Sequence, residues 1–441
     1  MANTSLTRTF DQVGNRQTWT LSVWIKRTGI GGQQNFFGSF PQSTDYERIM
    51  FNNDKIYMSE VGGGSTSWEV QTDAVYRDTN AWYHLVLRHD TTQASANDRI
   101  RLYMNGVQQT FGTNTQPAQN RGTAINTADV HKIGMGYSSE YTDCVMSHFH
   151  WCDGYSYGPD SFGSTDSDTG EWKINTSPSV SYGTNGFFIL KDGNSVTDQG
   201  GGSHNWTVAS GTLTKTEDNP SNVFATLNPL NNYYSQSTFA NGNTKVTMGS
   251  TEYAYNTSTL GMTTGKWYAE FKQGSGGTDS LYGISSTQAT STSAELGNYP
   301  NDYGYYQSNG SVLTNNGSVG GWSANTWSAG DIIGVAVDLD NNKLYFSKNG
   351  TWQNSGDPTS GSTGTGAISI TDVASTSLGA YFFGFSDYWG AGSSSSEANF
   401  GNGYFGTTAV SSAGTNASGN GIFEYDVPTG YTALSTKGLN T

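Results

Sequence analysis

Between residues 331 and 352 the chain alternates. Ile333, Val335, Val337 and Leu339 share one side of an extended segment, the period of a strand with one face in a core. Asp340-Asn341-Asn342-Lys343 breaks the pattern with turn-tolerant residues, and Leu344 and Phe346 resume it in the opposite direction. Asn349-Gly350 supplies a second turn. The pattern predicts an antiparallel hairpin with one buried face. The same period recurs at 18–27, where Leu21, Val23 and Ile25 oppose Ser22 and Trp24, at 82–88, and at 99–107, which closes on Asn105-Gly106. At 145–151 it predicts Val145, Ser147, Phe149 and Trp151 on one face. Further along, 265–271 sets Trp267, Ala269 and Phe271 on one side, and short apolar runs follow at 281–284, 303–306 and 381–385. After a Pro428-Thr429-Gly430 turn, residues 431–434 are expected to return to the sheet.

Residues 155–222 lack this regularity. Turn-rich stretches surround short apolar runs at 187–190 and 205–208, and Asp218-Asn219-Pro220 stops the segment. Trp172, Phe187, Phe188 and Trp206 are too many large apolar side chains for a free linker, so a packed connector is expected. The fold class that follows is all-β: two antiparallel β-sandwich (jelly-roll) domains, 1–154 and 223–441, joined by the connector 155–222, which packs on the first domain. No period of 20 to 50 residues and no heptads occur, which excludes a solenoid or a coiled-coil stalk.

Particular strings sharpen this. Gly334, Val335, Asp338, Phe346, Asn349 and Gly350 fall in the register of the central hairpin of SPRY domains, and the segments at 265–271, 281–284, 303–306 and 381–385 follow in SPRY order. The first domain carries a W-x-x-x-x-W-I-K string, W-Y-H-L-V-L-x-x-D, L-Y-x-N-G and a closing strand running into Asp153-Gly154. This set resembles the laminin-G or pentraxin type of concanavalin A-like domain. The whole layout, with Ser181 to Phe188, Asn222 to Leu230 and Pro428 to Leu434, is similar to a class of marine bacteriophage virion proteins. That resemblance implies a non-enzymatic virion surface protein, in a tail fibre or a capsid decoration, that mediates host attachment by adhesion to a host-surface glycan or protein. Other virion proteins are its expected partners, and a homo-oligomer, a trimer if it is a fibre, fits such a role. A structural or cementing virion protein without ligand binding is the alternative, and a glycan-degrading enzyme a disfavoured third.

Composition narrows the classes further. Gly is abundant at 57 residues, Pro scarce at 9, and only 13% of residues are charged, so packing and sheet hydrogen bonds must supply stability in place of ion pairs. A net charge of −15 argues against nucleic acid or an anionic membrane as partner. The first ten residues carry no apolar run, so no signal peptide is expected, and no segment reaches the ~20 apolar residues of a membrane span. Synthesis in a host cytoplasm followed by incorporation at the virion surface is the expectation. Cys144 and Cys152 lie in one strand-like segment, roughly 26 Å apart at a rise of ~3.3 Å per residue, and are read as free thiols.

Candidate chemistry is sparse. The nearest approach to a glycosidase E-x-D-x-x-E strand is Glu424-Tyr425-Asp426, with Thr429 where the second Glu belongs, so no catalytic residue is assigned. His148 and His150 are expected on one strand face with Cys144 and Cys152. Neighbours at ~6.6 Å spacing cannot all reach one zinc ion. Asp338 to Asn342 mimics the start of a calcium loop, but Lys343 and Asn349 stand where that motif needs Gly and Glu. Asp166 and Asp168 sit in a loop without a matching motif. No metal and no cofactor are therefore assigned. Aromatic residues in loops are the better lead, because Tyr and Trp faces stack on sugars and dominate protein interfaces. Trp327 and Tyr303 are assigned to the core. Tyr299, Tyr306, Trp322, Tyr388 and Trp389 are the candidate ligand-binding residues.

Overall fold

A computed structural model describes residues 3–137, 140–168, 170–191, 195–231, 237–249, 253–291, 293–387 and 394–439. Its elements are almost entirely antiparallel strands, and they gather into two compact units, 1–215 and 216–441. Among the described residues no helix is long and apolar enough to cross a membrane.

In unit 1 an eight-stranded sheet runs in the order 111–115, 65–72, 55–62, 45–52, 33–42, 130–133, 5–9, 207–210. A six-stranded sheet runs 187–189, 144–153, 18–27, 82–90, 100–104, 107–108. Leu21, Val23 and Ile25 from one sheet and Phe37, Ile49 and Met58 from the other fill the space between them, with Phe37 5.2 Å from Trp151 ring to ring. The unit is a β-sandwich. Two connector segments complete its sheets. Phe187–Ile189 pairs with Phe149 to Trp151, and Thr207–Ser210 pairs with the chain's first strand, Ser5–Thr9.

One strand departs from simple alternation. Along Cys144–Asp153, Ser147 pairs with Trp24 but His150 with Ser22, so three residues span what two span opposite, and His148 takes φ +50 to accommodate the extra one. This bulge inverts the face parity. Cys144 and Met146 pack toward the core before it, and Phe149 and Trp151 after it, while Cys152 joins Val86 and Phe162 on the outer side. The expected row of Val145, Ser147, Phe149 and Trp151 on one face is thus corrected. Of the two cysteines expected on the face of His148 and His150, Cys152 is there with His150, whereas Cys144 packs toward the core.

Unit 2 is a second sandwich. One sheet runs 237–240, 245–248, 395–399, 266–273, 332–338, 343–348, 351–352, and the other 254–257, 382–387, 280–285, 303–306, 312–314, 317–318. The central hairpin forms in the expected register, Val335 opposite Phe346, and turns at Asn349-Gly350, both with positive φ. Glycine is required there for a second reason: a Cβ on Gly350 would lie 2.6 Å from the Tyr425 ring.

The expectation of a single buried face is corrected. Ile333, Val335, Val337, Leu344 and Phe346 line the core, but Ala336 and Tyr345 on the opposite face are also covered. Their cover is Phe423, Val427, Tyr431 and Ala433, with Phe224. Thr432–Ala433 pairs in parallel with Trp267 and Tyr268, extending the edge that Ser395–Asn399 leaves free beyond Glu270. The fully buried Glu270 carboxylate fixes this layer by accepting the backbone N–H groups of Glu424 and Tyr425, each at 2.9 Å.

Candidate functional site

In unit 2 strand parity decides where the candidate aromatics stand. Across the sheet of 254–257, 382–387, 280–285 and 303–306, Tyr255, Ser386, Leu281 and Tyr306 form a row on the outer face. Residues between 286 and 299 fold over that row, so Leu296, Ala289 and Tyr299 pack on it. Tyr299 meets Tyr255 edge to face at 6.3 Å, and its hydroxyl accepts the N–H of Thr290. Tyr306 donates to Asp279 Oδ1 at 2.6 Å, and burial, then this carboxylate, pushes its pKa up to about 12. Tyr299 and Tyr306 therefore pack at opposite ends of the same outer row, and both are half-buried.

Trp322 stands apart from them. It packs on the core face of the same sheet, 5.9 Å from the Phe346 ring and 6.3 Å from Tyr305, and its indole N–H donates to the Gly310 carbonyl. The expectation of one aromatic surface shared by all the candidates is thus corrected: Tyr303 and Tyr305 point inward, Tyr306 outward, and Trp322 follows the inward set. Tyr388 and Trp389 lie outside the described residues. A packed tryptophan predicts a stability effect. Trp322→Ala is expected to cost unit 2 about 2–3 kcal/mol, less than a fully buried tryptophan, and urea unfolding of that variant checks the loss. An unchanged midpoint would make Trp322 a surface residue after all.

Sequence reading missed the carboxylates beside the tyrosines. Glu295 is half-buried, and burial, then the charges of Asp279 and Asp387, pushes its pKa up to about 7. Beneath the covering segment Tyr255 donates to Asp302 Oδ2 at 2.7 Å and Ser285 to Oδ1 at 2.8 Å, and burial raises Asp302 to about 7. Unit 2 holds six lysines and no arginine against 16 Asp and Glu, a net of −10 that sets the sign of this end. Single acids in Ser/Thr-rich loops carry no motif; only that charge imbalance could have pointed to them. The arrangement offers tyrosine edges beside carboxylate acceptors, chemistry suited to ligands bearing hydroxyl or ammonium groups.

Other suspected chemistry resolves into structure. Asp338 caps the hairpin, accepting the N–H of Asn341 and pairing with Lys266 at 3.0 Å. Asp166 pairs with Lys173 at 2.6 Å. His150 stacks on Phe188 at 3.9 Å, and burial, then the nearby His148, holds its pKa well below the usual imidazole value. Among the described residues no group of three His, Cys, Asp or Glu is arranged to hold a metal ion. In unit 1 Glu47 and Glu60 face each other across neighbouring strands. Burial, then Glu60, raises Glu47 well above the usual carboxylate range, whereas Glu60 is clamped by Arg121 at 2.8 Å and by the Trp68 indole. Pairs with such divergent environments do acid–base work in some enzymes. Glu47, however, has no exposed surface for a substrate to reach.

Comparison with known proteins agrees with this geometry. The family model described as the concanavalin A-like lectin/glucanases superfamily matches residues 2–153, and the SPRY domain model matches residues 233–369. Among solved structures, the SPRY domain of human HERC1 is similar at 16% identity, covering 39% of this chain and 96% of its own, with a TM-score of 0.30. The heptameric SAP-like pentraxin of Limulus polyphemus is similar at 14% identity, covering 34% of this chain and 69% of its own, with a TM-score of 0.25. No curated protein matches the sequence. Concanavalin A-like and SPRY domains are often non-enzymatic binding modules. The chain carries one of each: a concanavalin A-like domain in unit 1 and a SPRY domain in unit 2.

Proposed function

We propose that this protein is a non-enzymatic adhesin on the surface of a bacteriophage virion, attaching the particle to a glycan or protein of the host surface. The observation that carries the reading is the succession of two binding-module folds on one chain, the second ending in half-buried tyrosines beside carboxylates. Its resemblance at 181–188, 222–230 and 428–434 to marine phage virion proteins supplies the setting. Many copies on a particle can act through weak individual sites, because tethering raises the effective concentration. A shallow rim such as that of Tyr299 and Tyr306 is then sufficient.

Purified, fluorescently labelled protein is expected to bind intact host cells and to slow adsorption of the parent phage. Replacing both Tyr299 and Tyr306 by Ala is expected to reduce cell binding at least tenfold while leaving unit 2 folded, as read by its cooperative thermal unfolding. Incorporation into particles with no binding to cells would instead favour a cementing role. Cell binding that survives the double substitution would move the site elsewhere on the chain.

A further inference from the structure

The outer face of the six-stranded sheet of unit 1 is polar, bearing Ser22, Trp24, His84 and His150, yet it is buried. Part of its cover is a small hairpin, Gly163–Thr165 with Trp172–Ile174, whose strands pair only with each other among the described residues. Contact with the sheet centres on Trp172. Its ring lies over two glycines: a Cβ would come within 2.4 Å of the ring at Gly106 and 2.7 Å at Gly163. It also stacks on His84 at 5.9 Å, and His84 stacks in turn on Trp24 at 4.6 Å.

The polar contact is specific about protonation. The Trp172 indole N–H, which can only donate, points at His84 Nδ1 at 2.8 Å. Nδ1 must therefore carry a lone pair. The ring proton sits on Nε2, which donates to Ser22 Oγ at 2.9 Å. A second proton on the ring would place N–H against N–H across the clasp, in a site closed to water.

We propose that the hairpin of Gly163–Thr165 and Trp172–Ile174 is an acid-released lid, clasped shut by Trp172 on the neutral His84 ring. Departure of the lid uncovers the Trp24 ring edged by Ser22 and His84. The groups facing the clasp reinforce this. His148, two strands away across 18–27, adds like charge when it is protonated. Lys26 lies further along the strand of Ser22 and Trp24, and Tyr103 is on the adjoining strand. On the hairpin itself Asp166 is engaged by Lys173. Beside Trp172 the hairpin also carries Glu171. With the lid closed, burial and then His148 hold the ring at about 3, whereas an open, solvated imidazole titrates near ~6.5. Acid therefore favours the open state: below pH ~6.5 the ratio of open to closed lids rises about tenfold per pH unit, until the closed form also titrates.

Protein labelled with 5-fluorotryptophan tests this in the full chain. The Trp172 resonance, assigned by its loss in Trp172→Phe, is expected to gain a solvent isotope shift as pH falls from 7.5 to 5, while the buried Trp19 and Trp151 resonances stay in place. In His84→Gln, whose amide can accept from Trp172 and donate to Ser22 without titrating, the Trp172 signal is expected to keep its pH 7.5 position throughout. A Trp172 signal that moves only together with Trp19 and Trp151 would mean global unfolding and would overturn the lid. The same acid response in His84→Gln would overturn the role of His84, and no response in the parent protein would overturn both.

Discussion

Acidification from pH 7.5 to 4.5 is expected to weaken unit 1 and strengthen unit 2 of the same chain. All six histidines belong to unit 1. Burial holds His84, His89 and His131 at about 3. A base whose pKa is lowered by folding takes its proton first in the unfolded chain, so stability falls as pH drops below ~6.5. At pH 4.5 each of the three costs roughly 2–3 kcal/mol, together on the order of 8 kcal/mol, against a typical domain stability of about 5–15 kcal/mol. His150 acts in the same direction, and Glu47, raised by burial, partly offsets them. Unit 2 has the opposite sign. Burial raises Glu270 and Asp302 to about 7, so the folded unit takes up those protons first and gains stability as pH falls from above 7 toward the unfolded value near ~4. Calorimetry of the full chain at the two pH values, with each transition assigned by its single-unit fragment, reads both shifts. Transitions that move together in the same direction would refute the assignment.

The second large effect concerns the outer layer of unit 2. A 216–420 fragment is expected to melt more than 10 °C below the 216–441 fragment, or to fail to fold. Removing 421–441 strips Phe423, Val427 and Tyr431 from the outer face and Leu434 from the core. At about 2 kcal/mol for each buried apolar side chain, roughly 8 kcal/mol is at stake. Glu270 meanwhile loses the two backbone donors that satisfy its buried carboxylate, and an unsatisfied buried charge is itself costly. Thermal unfolding of the two fragments decides the matter. Equal melting temperatures would mean that the layer adds nothing to the sheet.

Strands with strict alternation were legible in the sequence because one buried face leaves a period of two. Thr18–Arg27 and the hairpin at 332–348 formed as the pattern predicts. What stayed hidden depended on neighbours distant in the chain. The bulge at His148 carries no Gly, Asn or Pro signal, since its cause is the pairing with Thr18–Arg27. Ala336 and Tyr345 look like an ordinary outer face until residues 423–433 arrive to cover them. The candidate site divides in the same way. Tyr299 and Tyr306, singled out by residue type, pack on the outer face, whereas Trp322 packs on the core, because the sheet face beneath a loop is invisible to composition. Asp279 and Glu295 were missed because an isolated acid acquires meaning only from what folds beside it.

The same outer layer has a consequence for biosynthesis. Trp267 and Tyr268 pair with Thr432 and Ala433, more than 160 residues later. At about 5–20 residues per second a ribosome needs roughly 8–30 s to supply the partner. Until then Tyr268, and Ala336 and Tyr345 once they are made, lack the cover of residues 423–433, an apolar face open to other chains on the same polysome. Slow codons after position 400 then prolong the exposure, and fast ones shorten it.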